Sequence, residues 1–241
     1  MKTVAVTSPP SGTPRAVRHR RAPALLPGRL GRYAWPIVGV LAALVAIAAV
    51  ATWHRDSALH VELRIDRAIA RLGIGTRFYN AGTDFASAFT FSFVVAALAL
   101  WSALRRSWRE LAACAAAPLT ILIVQGVLKP GIDRTIGGHN AYSFPSGHAS
   151  ATAAWFTLAI LLVMPVFPDR ISRACLVVVG TGTVAWSVVS VVALRWHYPV
   201  DAAAGALTGL AIVIGWCAIV DRVADGLADR IDRVDPPGSD R

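Results

Sequence analysis

The sequence predicts an all-α polytopic membrane protein, a bundle of six transmembrane helices, and three observations predict it. Hydrophobic residues make up 55% of the 241 residues, charged residues only 16%, and the mean hydropathy is +0.54. That is too apolar for a soluble domain of this length. Six stretches are long enough and sparsely charged enough to cross a bilayer as helix, which takes about 20 apolar residues. Finally, the chemically versatile side chains are not scattered through these stretches but gather at their ends, between Lys129 and Asp201. A soluble all-helical core is the alternative, and six such runs argue strongly against it.

In chain order, the first 32 residues hold Lys2, Arg15, Arg18, Arg20, Arg21, Arg29 and Arg32 with no acid and no periodic apolar pattern. Residues 1–32 therefore read as a basic disordered cytoplasmic tail at an anionic membrane surface. The spans are then Tyr33 to Trp53, Phe85 to Leu104, Leu111 to Leu128, His148 to Phe167, Ala174 to Leu194 and Val200 to Val220, so that residues 33–220 form one membrane domain. The first is too long and too far from the start for a cleaved signal peptide. The third is the weakest, interrupted by Pro118, Thr120 and Gln125. Residues 221–241, with six Asp and four Arg, read as a charged cytoplasmic tail, a solvated helix that frays at Pro236-Pro237.

Basic residues set the orientation. The leading tail is placed in the cytoplasm, and the short connections with Arg105, Arg106 and Arg109 and with Arg170 and Arg173 fall on the same side. The connection from His54 to Asp84 carries five Arg and runs against the rule, partly offset by Asp56, Glu62, Asp66 and Asp84. On this topology Lys129 to Gly147 and Arg195 to Pro199 lie in exterior connections. The net charge of +10 does not point to nucleic acid, because seven of the basic residues belong to the leading tail. Cys114, Cys175 and Cys217 each fall within a span and contain no Cys-x-x-Cys, so they read as small core residues, neither disulfides nor metal ligands. No second domain and no internal repeat is apparent.

Three polar clusters carry the chemistry. His197 and Asp201 are four apart where a span begins. On a helix such a pair shares a face, and the carboxylate would fix the imidazole tautomer and leave the other nitrogen free as nucleophile or base. Alone, however, Asp201 reads more simply as a helix cap near Pro199. Pro145-Ser-Gly-His148 opens another span. Ser146 and Gly147 there present a hydroxyl and backbone N–H groups at the positive end of a helix, an anion pocket with His148 beside it as proton donor. A plain capping turn is the competing reading. Lys129 and Arg134 taken singly are interfacial anchors. All three clusters facing one side, with no carboxylate cluster for a metal, point to metal-free phosphoryl transfer.

These residues resemble the type 2 phosphatidic acid phosphatase superfamily, whose membrane members are six-span helical lipid phosphatases. Its motifs are Lys-x6-Arg-Pro, Pro-Ser-Gly-His and Ser-Arg-x5-His-x3-Asp. Pro145 to His148 match the second, and Ser190, His197 and Asp201 match the third in order and spacing. Two positions depart: Ile136 and Gly137 stand where the first motif has Arg-Pro, and Val191 where the third has Arg. Arg134, two residues early, and Arg195, one helical turn after Val191, are the expected substitutes, the latter if the fifth span continues as helix that far.

The resemblance implies an integral-membrane phosphatase that hydrolyses a lipid phosphate or diphosphate at the exterior face, with no cofactor and no metal. His197 would attack phosphorus to give a phosphohistidine, Asp201 would orient it, and His148 would protonate the leaving oxygen and later activate water. Lys129, Arg134, Ser146, Gly147 and Arg195 would bind the phosphate. Phosphatidate, phosphatidylglycerophosphate and polyprenyl diphosphate all fit, and the exterior site favours a polyprenyl carrier by family analogy. A lipid phosphotransferase and a non-catalytic lipid-binding or transport protein remain as alternatives.

Overall fold

The computed structural model describes residues 23–136 and 139–234. The basic segment before residue 23 and the expected fraying point at Pro236-Pro237 lie outside the described residues. Among the described residues there are six helical spans, and the fold is all-α apart from a short ribbon. Helix α1 (Gly28–Thr52) forms the first span. Two short helices, α2 (His60–Ala70) and α3 (Thr76–Asp84), fill the first long connection, and α3 leads with little break into α4 (Ala88–Leu104). The third span is assembled from α5 (Trp108–Ala113), α6 (Ala116–Ile123), a π-helical turn (Val124–Leu128) and α7 (Lys129–Ile132). A two-stranded antiparallel ribbon follows, β1 (Thr135–Ile136) with β2 (His139–Tyr142). Then come α8 (Gly147–Val163), α9 (Arg170–Ala193) and α10 (Pro199–Val234).

Local chemistry explains most boundaries. Ser87, Ser146 and Asp169 cap α4, α8 and α9, each accepting a hydrogen bond from the backbone N–H three residues on. Pro118 is tolerated because it lies in the first turn of α6, where its missing N–H costs nothing. Pro130 could not donate to the carbonyl four residues earlier. The chain instead widens just before it, with the Lys129 N–H bonding the Val124 carbonyl five residues back, so the interruption seen in the sequence is a π turn rather than a break.

Helix α8 is the centre of the bundle and α10 packs along it most closely. Gly205 and Gly209 of α10 make this possible. A Cβ at Gly205 would stand 2.4 Å from the Ser146 carbonyl oxygen, and one at Gly209 would stand 2.3 Å from that of Ser150. Two glycines four apart, facing the small residues Ala149 and Ala153, bring the two backbones together in the small-xxx-small manner of membrane helices. Outward faces are apolar: Val40, Ile47 and Val50 on α1, Phe89 and Phe93 on α4 and Val178 on α9 are exposed, as lipid contact requires. The chain is accordingly a multi-pass membrane protein.

At the end of the bundle away from the ribbon, charge is used structurally. Arg109 is buried and pairs with Asp225 at 2.8 Å and Asp221 at 3.6 Å. The Asp221 carboxylate also accepts the backbone N–H groups of Leu25 and Leu26 at 2.9 and 3.0 Å. The last span and the helix expected in the charged tail are continuous to Val234, with Asp221 and Asp225 tied to α5 and Asp221 also to the lead-in of α1. Cys114 and Cys217 are core residues as expected, whereas Cys175 is exposed on α9. All three are free thiols.

Candidate active site

The ribbon, the Pro145–Gly147 turn and the α9–α10 turn meet at one end of the bundle, beneath α2. The centre of that end is Arg134, fully buried. Its guanidinium donates to both oxygens of Glu62, Nη1 to Oε1 at 3.1 Å and Nη2 to Oε2 at 2.7 Å, and Nη1 also bonds Asp201 Oδ1. The Tyr198 ring lies over the guanidinium carbon at 4.5 Å. Burial alone would lower the Arg134 pKa, but the hydrogen bonds and charges of Glu62 and Asp201 outweigh it and raise the group above its ordinary value. Glu62 also accepts the Leu59 N–H at 2.6 Å, satisfying a free donor at the start of α2, and the Val200 N–H at 3.2 Å.

Beside this triad the two histidines face each other. The rings of His148 and His197 are 6.3 Å apart between centroids, and Trp196 covers His148 at 5.3 Å. His148 is the second residue of α8, so its N–H and that of Gly147 belong to the first turn and have no partner within the helix. Lys129 and Gln125 reach the same point from the third span. A Cβ on Gly147 would be 4.0 Å from Lys129 Nζ and 2.8 Å from Gln125 Nε2. Burial first, then the charges of Lys129 and His148, push the His197 pKa down to about 3, with the Ser143 backbone opposing them. His197 is therefore neutral at physiological pH. A cavity of about 490 Å³ adjoins it, lined among others by Asp66, Arg195, Tyr198, Leu63 and Ile136.

Of the residues singled out in the sequence, the structure gathers Lys129, Ser146, Gly147, His148 and His197. Four details differ from expectation. His197 and Asp201 do not share a helix face, because α10 begins at Pro199 and the residues before a proline are biased away from helix. Asp201 instead bonds Arg134 and accepts the Tyr198 N–H at 3.4 Å, and His197 Nδ1 has no hydrogen-bond partner among the described residues. Arg134 is not turned to an anion pocket, since both terminal nitrogens are held by carboxylates. Arg195 is not one turn along α9: that helix ends at Ala193, and Arg195 takes the left-handed conformation (φ 58°) after it. It is exposed and next to Asp66, whose pKa burial and Glu62 raise and Arg195 lowers. Ser146 is fully buried, and its hydroxyl oxygen caps α8.

Two residues of the site escape a reading by motif. Glu62 looks like one acid among five arginines in a connection, and only its place three residues into a helix hinted at a fixed role. Gln125 looks like a flaw in an apolar span, although a polar side chain at such a depth is itself a functional signal.

Comparison with known proteins bears on this arrangement. The family model described as "PAP2 superfamily" matches residues 127–224. The fold is similar to the crystal structure titled as the first transmembrane PAP2 type phosphatidylglycerolphosphate phosphatase from Bacillus subtilis. The TM-score is 0.58 at 20% sequence identity, covering 81% of this chain and 98% of that one. No curated protein matches the chain.

The triad makes a stability prediction. Removing one partner of a buried ion pair costs up to roughly 3–5 kcal/mol where a charge is left uncompensated, and less at Glu62, because Asp201 still balances Arg134. Glu62→Gln should lower the thermal unfolding temperature in detergent markedly, and Arg134→Lys should do so too, since an ammonium cannot reproduce the two-pronged contact. Melting curves indistinguishable from the parent would show that the triad is dispensable.

His197 makes a prediction about acid. Below pH 6.5 the unfolded chain takes up a proton at His197 that the folded chain refuses until about pH 3. Stability is thus unaffected by this group above 6.5 and declines as pH falls from 6.5 toward 3. The drop in melting temperature between pH 7 and pH 4.5 should be smaller in His197→Gln than in the parent, and equal drops would mean that the imidazole is freely hydrated.

Proposed function

We infer from the PAP2-superfamily pattern of residues 127–224, on the fold of a transmembrane PAP2 phosphatase, that this protein is a membrane phosphatase hydrolysing a lipid phosphate or diphosphate. One observation carries the reading: a neutral His197 faces His148 across 6.3 Å beside the N-terminus of α8 and Lys129.

In the proposed reaction the free nitrogen of His197 attacks phosphorus as the bond to the leaving oxygen breaks, and protonated His148 gives that oxygen its proton. The leaving group departs, an alcohol from a lipid phosphate or the lipid monophosphate from a diphosphate, and phosphohistidine remains. His148, now neutral, takes a proton from water as the water oxygen attacks phosphorus, and the N–P bond electrons return to His197. Lys129 and the first-turn N–H groups of α8 stabilise charge on the equatorial oxygens, the work that preorganised donors do in other phosphoryl and acyl transfers. Asp201 acts at one remove. Its hold on the Tyr198 N–H fixes the backbone next to His197, and its backbone carbonyl accepts the Ser146 N–H at 2.9 Å, joining the two catalytic turns. The cations and dipoles at hand supply the charge that a divalent ion supplies elsewhere.

A lipid is favoured because the site opens at an end of the bundle, where a head group can enter while its tail stays in the bilayer. The basic leading segment and the Arg105–Arg106 and Arg170–Arg173 connections favour a cytoplasmic location for the opposite end, and this supports an exterior site.

Phosphate release from a panel of lipid phosphates by purified protein in detergent with excess EDTA should be robust, and His197→Ala should abolish it while leaving the melting temperature near that of the parent. Activity of His197→Ala within about tenfold of the parent would rule out the phosphohistidine, since nucleophile loss costs far more. For sidedness, single cysteines at Tyr198 and at Arg106, in a background without Cys114, Cys175 and Cys217, should label with an impermeant thiol reagent on intact cells at position 198 only. The reverse pattern would put the site in the cytoplasm.

A further inference from the structure

We propose that Gln125 is a phosphate-binding residue of this site, its side-chain amide standing in for the arginines absent at Ile136 and Val191. The proposal rests on the phosphatase reading above and extends it to a residue outside the three motifs.

Geometry is the first support. The Gln125 amide nitrogen lies so close to Gly147 that a Cβ there would meet it at 2.8 Å, with Lys129 Nζ at 4.0 Å from the same point. Two donors from the third span therefore converge on the start of a 17-residue helix whose first N–H groups are free. Glycine at 147 is what leaves room for the amide.

The second support is that this amide has nothing else to do. Gln125 makes no hydrogen bond among the described residues, yet it sits in a membrane span between Val124 and Gly126. A polar side chain in such a segment is costly unless it serves a partner. It also lies within the π turn that precedes Pro130, and such turns are enriched at functional sites.

The third support is the disposition of the cations. Arg134 is held by Glu62 and Asp201, and Arg195, exposed, lines the cavity that Asp66 and His197 also line. The atoms nearest the Cβ position of Gly147 belong to Gln125 and Lys129, and to neither arginine. Lys129 is then the charged donor and Gln125 the neutral one, with the N–H of Gln125 Nε2 bonding an equatorial oxygen and the helix N-terminus another.

The test is inhibition by orthovanadate, which adopts the five-coordinate geometry of the transferring phosphoryl group, together with KM and kcat for phosphate release from the best lipid substrate. Gln125→Leu removes the donor at similar volume, and Gln125→Glu puts a negative charge where the phosphate binds. We expect vanadate inhibition to weaken by roughly tenfold in Gln125→Leu, as for loss of a hydrogen bond to a charged group, and by more in Gln125→Glu. Melting temperatures should stay near the parental value, because the side chain is exposed. Vanadate inhibition in Gln125→Leu within about twofold of the parent would overturn the inference while leaving the phosphatase reading intact. If the parent protein itself neither releases phosphate nor binds vanadate, the phosphatase reading falls and this inference with it.

Discussion

One guanidinium organises the functional end of this protein. Arg134 is fully buried, and a charge so placed is tolerable only if it is paired with opposite charge and hydrogen-bonded. Glu62 meets it from the first long connection and Asp201 from the start of the last helix, so three segments separated by 72 and 67 residues are fixed by one side chain. Because Glu62 also receives the N–H groups of Leu59 and Val200, the triad sets the start of α2 and of α10 together. The ribbon follows from it as well, since the Arg134 carbonyl accepts the Ser143 N–H at 2.7 Å and thereby places the Pro145–Gly147 turn.

The rest of the site is set by how closely two helices can approach. Gly205 and Gly209 let the backbone of α10 reach the first turns of α8, and the Ser146 N–H then finds the Asp201 carbonyl. Without that approach the turn bearing His148 and the turn bearing His197 would be separated by side chains. Small residues in the spans are thus as much a part of the site as the histidines are.

What the sequence discloses about this molecule follows from the range of the forces involved. Spans are legible because hydrophobicity acts residue by residue along the chain, and Pro145 to His148 because a helix start is a local event. The structure brings His197 and Asp201 to the same end of the bundle, but not on one helix face as their spacing suggested, since α10 begins two residues after His197, at Pro199. Arg195 misleads for a similar reason: α9 terminates two residues before it. Arg134 and Glu62 are a tertiary pair, and nothing local distinguishes a buried arginine from an anchoring one. Gln125 is visible as an anomaly in an apolar span, and its approach to Gly147 is a tertiary contact that the sequence does not show.

The neighbour relation between the first and last spans has a consequence for how the protein is made. Much of the inward face of α1 rests on α10, and its lead-in is held by Asp221, yet the chain reaches the membrane with α1 first and α10 last. Through most of synthesis α1 must therefore reside in lipid with no protein partner on that side. Its freedom from charged residues between Tyr33 and Thr52 is what such a wait demands, and its final docking belongs to the last step of assembly, after the sixth helix has entered the bilayer.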